Sequence, residues 1–456
     1  MALKGTDIVK RLPEGGKKNC RECGFPTCFA FAMKLAGAGV SVDKCPYLSS
    51  EVKAELGDAL APPIKLVTIG TGDKALKIGN EEAVYRHEKT FVHKPGIALL
   101  ISDKELDARI DEKIKKLKEL QFPWVGLTLK ADMLALRFES GDKAKYQGLV
   151  KKVCDSTDAP VMLMADDVDA LLAARGICSN RQPLLYPVTK DNIDKIIAGI
   201  KSVPTPVVVK ANSVEELIPL TIKLKEAGLD EIVLDPVSSN MQEVIKNQTL
   251  IRRAALKQNF RPLGYPTIGF PCFMARGEIR QVLLAAMFNI KYPGVIVLSD
   301  FDESSLLPLL VQRLNIYTDP RIPMSVEQKI YEIGEPKEDS PVLITSNWAL
   351  TYFIVASEIE GSKVPTWLLV KDTEGLGVLT GWAAGKFSGD SIGPFVKQCG
   401  IEAKTKTRKL IIPGKVARIK GELEEALPDW EIIVGPGEAS QIPAYLPGVV
   451  QKWKNN

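Results

Sequence analysis

Between residues 96 and 302 the chain repeats one pattern eight times: a short run of apolar, mostly branched residues, then a charged stretch with helical spacing. The runs are GIALLISD (96–103), WVGLTLKAD (124–132), APVMLMADD (159–167), LLYPVTKD (184–191), TPVVVKAN (205–212), EIVLDPVS (231–238), YPTIGFPC (265–272) and GVIVLSDFD (294–302). Unbroken apolar runs suit strands covered on both faces, as when helices such as VEELIPLTIKLKEAG return the chain by right-handed crossovers. Eight such units predict a (β/α)8 TIM barrel. Asp103, Asp132, Asp166, Lys210, Asn212, Asp235 and Asp300 end the runs, at the C-terminal mouth where such barrels bind ligands. An Asp after a strand is more commonly the cap of the next helix, and capping is favoured for most of them.

Beyond the charged stretch IYEIGEPKEDS a second α/β series begins, with strands PVLITS (341–346), TWLLVKD (366–372), RKLIIPG (408–414) and EIIVGP (431–436). This predicts a small doubly wound sheet of flavodoxin-like type, with ligands beyond the carboxyl ends of its strands. Those ends carry TSN (345–347), DTEGLGVLTG (372–381), PGK (413–415) and GPGEA (435–439). Together they would make a broad surface, poor in side chains, that suits a flat amide-rimmed ligand or a phosphate. Gly375, Gly377 and Gly381 loosely imitate a dinucleotide fingerprint, but they follow the second strand of the series and lack a matching acidic residue on a following strand, so nucleotide binding is discounted.

The start of the chain has a different character. Cys20, Cys23, Cys28 and Cys45 are half of the eight cysteines, spaced C-x2-C-x4-C-x16-C. The leading MALKGTDIVKRLPEGG has no apolar core, and no stretch approaches the ~20 continuous apolar residues of a membrane helix, so a cytoplasmic protein is expected. In a reducing compartment such a cluster points to a metal site. Four thiolates match the needs of a [4Fe-4S] cube, with Gly24 and Pro26 allowing the loop to bend around it. Structural zinc is the rival, but it usually takes its ligands from two C-x2-C knuckles and only one is present. Cys154, Cys178, Cys272 and Cys399 stand apart and are read as small buried hydrophobes. The formal net charge of +4 marks neither a nucleic-acid nor a membrane-surface partner. The expected domains are a cluster domain (1–57), a linker carrying a hairpin (58–92), the barrel (93–325) and the doubly wound domain (326–456).

Taken in order, NCRECGFPTCFAFAMKLA with Cys45, YRHEKTF (85–91), the barrel, TSNWALTYF and DTEGLGVLTGWAAGKF resemble the large-subunit family of corrinoid iron–sulfur proteins of acetyl-CoA synthesis. The archaeal counterpart is the acetyl-CoA decarbonylase/synthase gamma subunit. The resemblance covers essentially the whole chain. It implies a methyl-carrier subunit of a methyl-transfer system rather than a stand-alone enzyme. In that family cobalt, as Co(I), takes a methyl group from methyltetrahydrofolate through a separate methyltransferase and gives it to the nickel–iron–sulfur cluster of acetyl-CoA synthase. A smaller subunit completes a heterodimer. Carried over, Cys20, Cys23, Cys28 and Cys45 would hold the [4Fe-4S] cluster that reduces stray Co(II). The corrinoid (cobamide) would rest on the C-terminal loops, at Thr345, Ser346, Thr373, Glu374, Gly375, Leu376, Thr380 and Gly437. The chain's 2 histidines, His87 and His93, both precede the barrel, so a base-off corrinoid without a histidine from the C-terminal domain is expected. Because several partners must reach one cobalt face, the cluster domain would have to approach and withdraw, with residues 58–92 as its tether. Two other functions compete: an iron–sulfur electron carrier without corrinoid, and a pterin-binding barrel using Asn212 and Asp235. Trp348, Tyr352 and Trp382 lie near the proposed loops as candidate covers of the ring, or as ordinary core aromatics.

Overall fold

The computed structural model describes residues 4–37, 40–124, 127–319, 321 and 323–455. Residues 38 and 39, and 125 and 126 of the WVGLTLKAD run, lie outside them. The chain forms two units, one of residues 1–120 with 130–317 and one of residues 121–129 with 318–456.

In the first unit an antiparallel hairpin, β1 (Ile64–Ile69) and β2 (Leu76–Glu81), precedes the barrel strand β3 (Gly96–Ser102). A short pair, β4 (Gln121–Trp124) and β5 (Leu127–Lys130), belongs to the second unit. The barrel continues through β6 (Met133–Arg137), β7 (Val161–Met164), β8 (Leu184–Val188), β9 (Val207–Lys210), β10 (Ile232–Asp235), β11 (Ile268–Gly269) and β12 (Val295–Leu298). Its order is β10-β9-β8-β7-β6-β3-β12-β11, all parallel, and a bridge from Leu234 to Thr267 closes the ring. Ala98, Leu100, Met133, Ala135, Met162 and Met164 fill the interior, while Leu99, Leu134 and Leu163 between them are equally buried on the outer face. Burial on both faces is why these strands read as continuous apolar runs.

One expected strand is displaced. The second barrel strand is MLALR (133–137), buried at four of its five positions, whereas in LTLK of the expected run only Leu129 is buried. Asp132 therefore precedes β6 and lies at the N-terminal end, where it accepts the Ile97 N–H at 2.9 Å and pairs with Arg313. It has no part in the barrel mouth.

The expected linker is also corrected. Val67, Ile69 and Ile78 of the hairpin enter the same core as the inward-facing barrel residues. The Gly70 N–H donates to Gln182 O and the Lys65 N–H to Gly264 O, both at 2.9 Å. Gly79, at φ +80, sits where an added Cβ would lie 2.1 Å from Lys65 O. The hairpin thus plugs the N-terminal end of the barrel. Just before it, Arg261 donates to the carbonyls of Ala61 (3.0 Å), Pro62 (3.1 Å) and Ala59 (3.2 Å). From Ala59 to Glu81 the chain is anchored, so it is not a free tether.

The second unit holds β13 (Lys329–Ile333), β14 (Val342–Ser346), β15 (Thr366–Lys371), β16 (Lys409–Ile412) and β17 (Glu431–Val434) in the order β13-β15-β14-β16-β17. Strands β14 to β17 are parallel, and β13, from the stretch expected to be only a connection, adds an antiparallel edge. Alternate residues feed two cores. Val342, Ile344, Leu369 and Leu410 meet the helices Gly389–Gln398 and Lys420–Ala426, while Leu343, Leu368, Val370 and Ile411 meet Ala349–Ser362 and Ile442–Asn455. Helices on both faces make the sheet doubly wound, with its reversal of strand order at β14.

Candidate functional site

Two places in the molecule gather the residues singled out in the sequence. In the first, Cys45 is buried in a small core with Ile8, Leu12, Phe31, Ala32, Leu35, Leu48 and Leu56, and Cys23 and Cys28 pack against it. Cys20, Cys23 and Cys28 are half-buried. Thr27 caps the helix Cys28–Ala36 by accepting the Ala30 N–H at 3.0 Å, and Asn19 Oδ1 accepts the Cys28 N–H at 2.8 Å. Asn19, Arg21 and Gly24 all have positive φ (43°, 67° and 84°), curling the loop that carries the first two cysteines. A donor set of thiols alone fits soft, thiophilic iron. Among the described residues no three His, Cys, Asp or Glu side chains converge on a single-ion site.

In the second, a cleft of about 450 Å³ opens at the carboxyl edge of the C-terminal sheet. It spans β14 and β16, the two strands between which the order reverses, where open α/β sheets take their ligands. Its walls are mainly apolar, with Ile344, Ile354, Leu379 and Ile412 among them, and Lys415 and Glu438 pair across its rim at 2.5 Å. Close backbone packing shapes the floor: a Cβ on Gly414 would fall 2.6 Å from Gly435 O. Thr345 is 1% exposed and Ser346 0%, yet neither hydroxyl has a hydrogen-bond partner. A buried hydroxyl without a partner is costly, and of the two only Thr345 lines the cleft, where it marks a place for a polar ligand edge. An apolar slot with the unpartnered Thr345 hydroxyl in its wall fits a flat, amide-rimmed macrocycle such as a corrin.

Of the residues picked from the sequence, Thr345, Thr380 and Gly437 line the cleft, as does Trp348. Ser346, Thr373, Glu374, Gly375 and Leu376 do not form its wall. Thr373 and Gly375 shape the loop behind it: Asn347 Oδ1 accepts the Thr373 N–H (3.0 Å), the Thr373 O–H (2.9 Å) and the Gly375 N–H (3.1 Å). The Asn347 amide donates in turn to Asp372 at 2.8 Å. Gly375 carries φ +76, and a Cβ there would lie 2.7 Å from Pro323 O. Glu374 points outward to Lys386. Tyr352 stacks at a tilt on Tyr331, 4.6 Å between centroids, and Trp382 lies under the Arg418 guanidinium, so both act as packing aromatics. Sequence reasoning missed Thr351, Ile354, Lys415, Glu438 and the pinning role of Asn347. The TSN tripeptide was a signal for the last, since Asn after a strand readily bonds neighbouring backbone.

At the barrel mouth the polar residues serve the fold. Asp103 accepts from the Glu139 and Ser140 N–H groups at 2.8 and 2.9 Å, and Asp300 pairs with Arg109 and Lys116. Asp235 is buried and accepts from the Tyr186 hydroxyl (3.0 Å) and the Val237 N–H (3.1 Å). Burial raises its carboxyl to about 6. Its acceptors are engaged within the fold, which weighs against its use as a pterin ligand.

Two family models match the chain: "CO dehydrogenase/acetyl-CoA synthase delta subunit" over residues 66–446 and "Putative Fe-S cluster" over residues 16–47. The chain is 42% identical over 445 residues to the corrinoid/iron-sulfur protein large subunit of Moorella thermoacetica, spanning 98% of each chain. It is 35% identical over 456 residues to the acetyl-CoA decarbonylase/synthase complex subunit gamma of Methanopyrus kandleri, spanning 97% of each. Among solved structures, dihydropteroate synthase from Thermus thermophilus aligns at 15% identity and a TM-score of 0.37, covering 55% of this chain and 97% of that one, too slight a likeness to carry an argument. The matched segments take in both the cysteine loop and the cleft, and the chain belongs to the CO dehydrogenase/acetyl-CoA synthase delta-subunit family, together with corrinoid/iron-sulfur protein large subunits and acetyl-CoA decarbonylase/synthase gamma subunits.

Proposed function

We propose that this protein is the corrinoid- and cluster-bearing methyl carrier of an acetyl-CoA-forming system, taking a methyl group from a methyltetrahydrofolate methyltransferase and delivering it to acetyl-CoA synthase. A smaller subunit of the same system would complete a heterodimer. The observation that carries this reading is the cleft at the reversal point of the C-terminal sheet, with the buried hydroxyl of Thr345 unpartnered in its wall. When bound, a corrinoid supplies a cobalt centre that accepts and releases a methyl group, and a [4Fe-4S] cluster supplies single electrons.

The protein's own share is holding and exposure. Asn347 fixes the 372–376 loop, and Gly414 and Gly437 keep the floor low enough for a broad ring to approach backbone. Ile354 and Leu379, 45% and 48% exposed, leave the outer rim apolar and open, as access by large partners requires. No histidine follows His93, so no imidazole of the C-terminal unit can reach up beneath a ring held there. Cys20, Cys23, Cys28 and Cys45 would hold the cluster.

The test is metal analysis with electron paramagnetic resonance on anaerobically purified protein coexpressed with its smaller subunit. About four irons and one cobalt per chain are expected, with a Co(II) signal free of nitrogen splitting. Iron without cobalt, when corrinoid is supplied, would leave an electron carrier instead.

A further inference from the structure

Away from the cleft and the cysteine loop, the barrel carries a pair of adjoining thiols that the function does not use. Cys154 lies in the helix Lys143–Ser156 and Cys178 ends the neighbouring helix Val168–Ile177. Their sulfurs are 2.9 Å apart, inside van der Waals contact, with 24 positions of sequence between them. A disulfide needs roughly 2.05 Å, so less than one further ångström of approach would close the bond. Cys178 is 0% exposed, whereas Cys154 is half-buried and within reach of solvent. Arg181, just beyond Cys178, donates to Cys154 O at 3.0 Å and to Ala159 O at 2.8 Å, which fixes its guanidinium beside the outer thiol. The pair therefore has an accessible sulfur, a buried sulfur behind it and a fixed cation alongside.

We infer that Cys154 and Cys178 form a reversible thiol-modification site that takes low-molecular-weight disulfides, with Cys154 the attacking sulfur and Cys178 the resolving one. The electrostatics agree with this order. The hydrogen bond from Cys178, helped by Arg181, holds the Cys154 thiol down to about 7, while the same bond and burial push Cys178 up. A thiol near neutral pH is part thiolate and still a strong nucleophile. The Cys154 thiolate attacks one sulfur of the incoming disulfide, forming a mixed disulfide and releasing one small thiolate. The Cys178 thiol then attacks the Cys154 sulfur, giving up its proton and expelling the second small thiol. Two protein thiols are oxidised and one disulfide is reduced to two thiols, with no further oxidant. The product would staple two adjacent helices of the barrel wall, separately from any cluster ligand.

The test uses the full-length protein, treated anaerobically with oxidised glutathione, alkylated, and digested with trypsin without reduction. The peptides 153–175 and 176–181 are expected to appear joined, two hydrogens lighter than their sum, and to separate on reduction. In Cys178→Ser, Cys154 should retain one glutathione. In Cys154→Ser, the buried Cys178 should stay unmodified. Recovery of both peptides singly alkylated after treatment of the unmutated protein would overturn the inference. So would glutathione found on Cys178 in Cys154→Ser, which would reverse the assigned roles.

Discussion

Thr345 buries a hydroxyl that the protein leaves without a partner and that lines the cleft, which makes it the most direct probe of what the cleft holds. Thr345→Val keeps the shape and removes the polar atom. Without cofactor the variant should be more stable by about 1 kcal/mol, because the desolvation cost of an unmade bond disappears. Its cobalt content after coexpression should fall; unchanged cobalt would show that the hydroxyl does not meet the ring. A second residue answers to pH. Burial holds the folded Asp235 carboxyl near 6, above its ordinary value of 3.8, in spite of the bonds from Tyr186 and Val237. A group raised in this way favours the fold only when protonated, so its contribution is complete below about pH 4 and is lost as pH climbs through 6. Asp235→Asn keeps an acceptor for Tyr186 and drops the charge. Urea titrations should show the variant gaining on the wild type between pH 4 and 7, reaching about 3 kcal/mol. The position of Asp235 at a strand end was readable from sequence, but its burial and its Tyr186 partner were not. Tyr186 is remote in sequence, and only barrel closure brings the two together.

At the scale of elements, the closest competition was between WVGLTLKAD and MLALR. Both are apolar enough for a strand, and only continuous burial separates them: Met133, Leu134, Ala135 and Leu136 are covered on both faces, while Leu127, Thr128 and Lys130 meet solvent. Alternation in LTLK is the period of a half-exposed ribbon, and that period was the available clue. The hairpin of β1 and β2 was legible from its Gly72-Asp73 turn, whereas Gly79-Asn80 lies within β2, and its role as a plug was not legible, since Val67 and Ile78 look like any other strand residues until the barrel closes over them. Arg261→Ala removes three bonds to the chain leading into that hairpin. Limited proteolysis should then cut near residues 58–63 several times faster, with the barrel's circular dichroism unchanged. Behind the cleft, Asn347→Ala strands the Thr373 and Gly375 N–H groups, while the Thr373 hydroxyl keeps Leu376 O, and should cost about 2–3 kcal/mol in denaturant unfolding, because buried groups left unpaired carry their desolvation penalty.

For the molecule as a whole, the division into two units cuts across the order of the sequence. Trp124, encoded between the first two barrel strands, packs against the core of the C-terminal unit, as Met324, Tyr331 and Tyr352 do. Trp124→Ala should therefore raise amide hydrogen exchange in the helix Ala349–Ser362 and leave the barrel strands as protected as before; the opposite pattern would refute the assignment. By itself the sequence determined what depends on local pattern. Buried runs set the eight barrel strands but one, the four-cysteine spacing marked a candidate donor group, and Gly-rich strand ends marked the edge of the second sheet that forms the cleft. Tertiary structure alone decided which of those loop residues face the cleft, which of them brace it, and that Cys154 and Cys178 meet. The physical reason is that periodicity and turn chemistry act over a few neighbouring residues, whereas partners such as Asn347 with Thr373, or Asp235 with Tyr186, are chosen by the register of strands far apart in the chain.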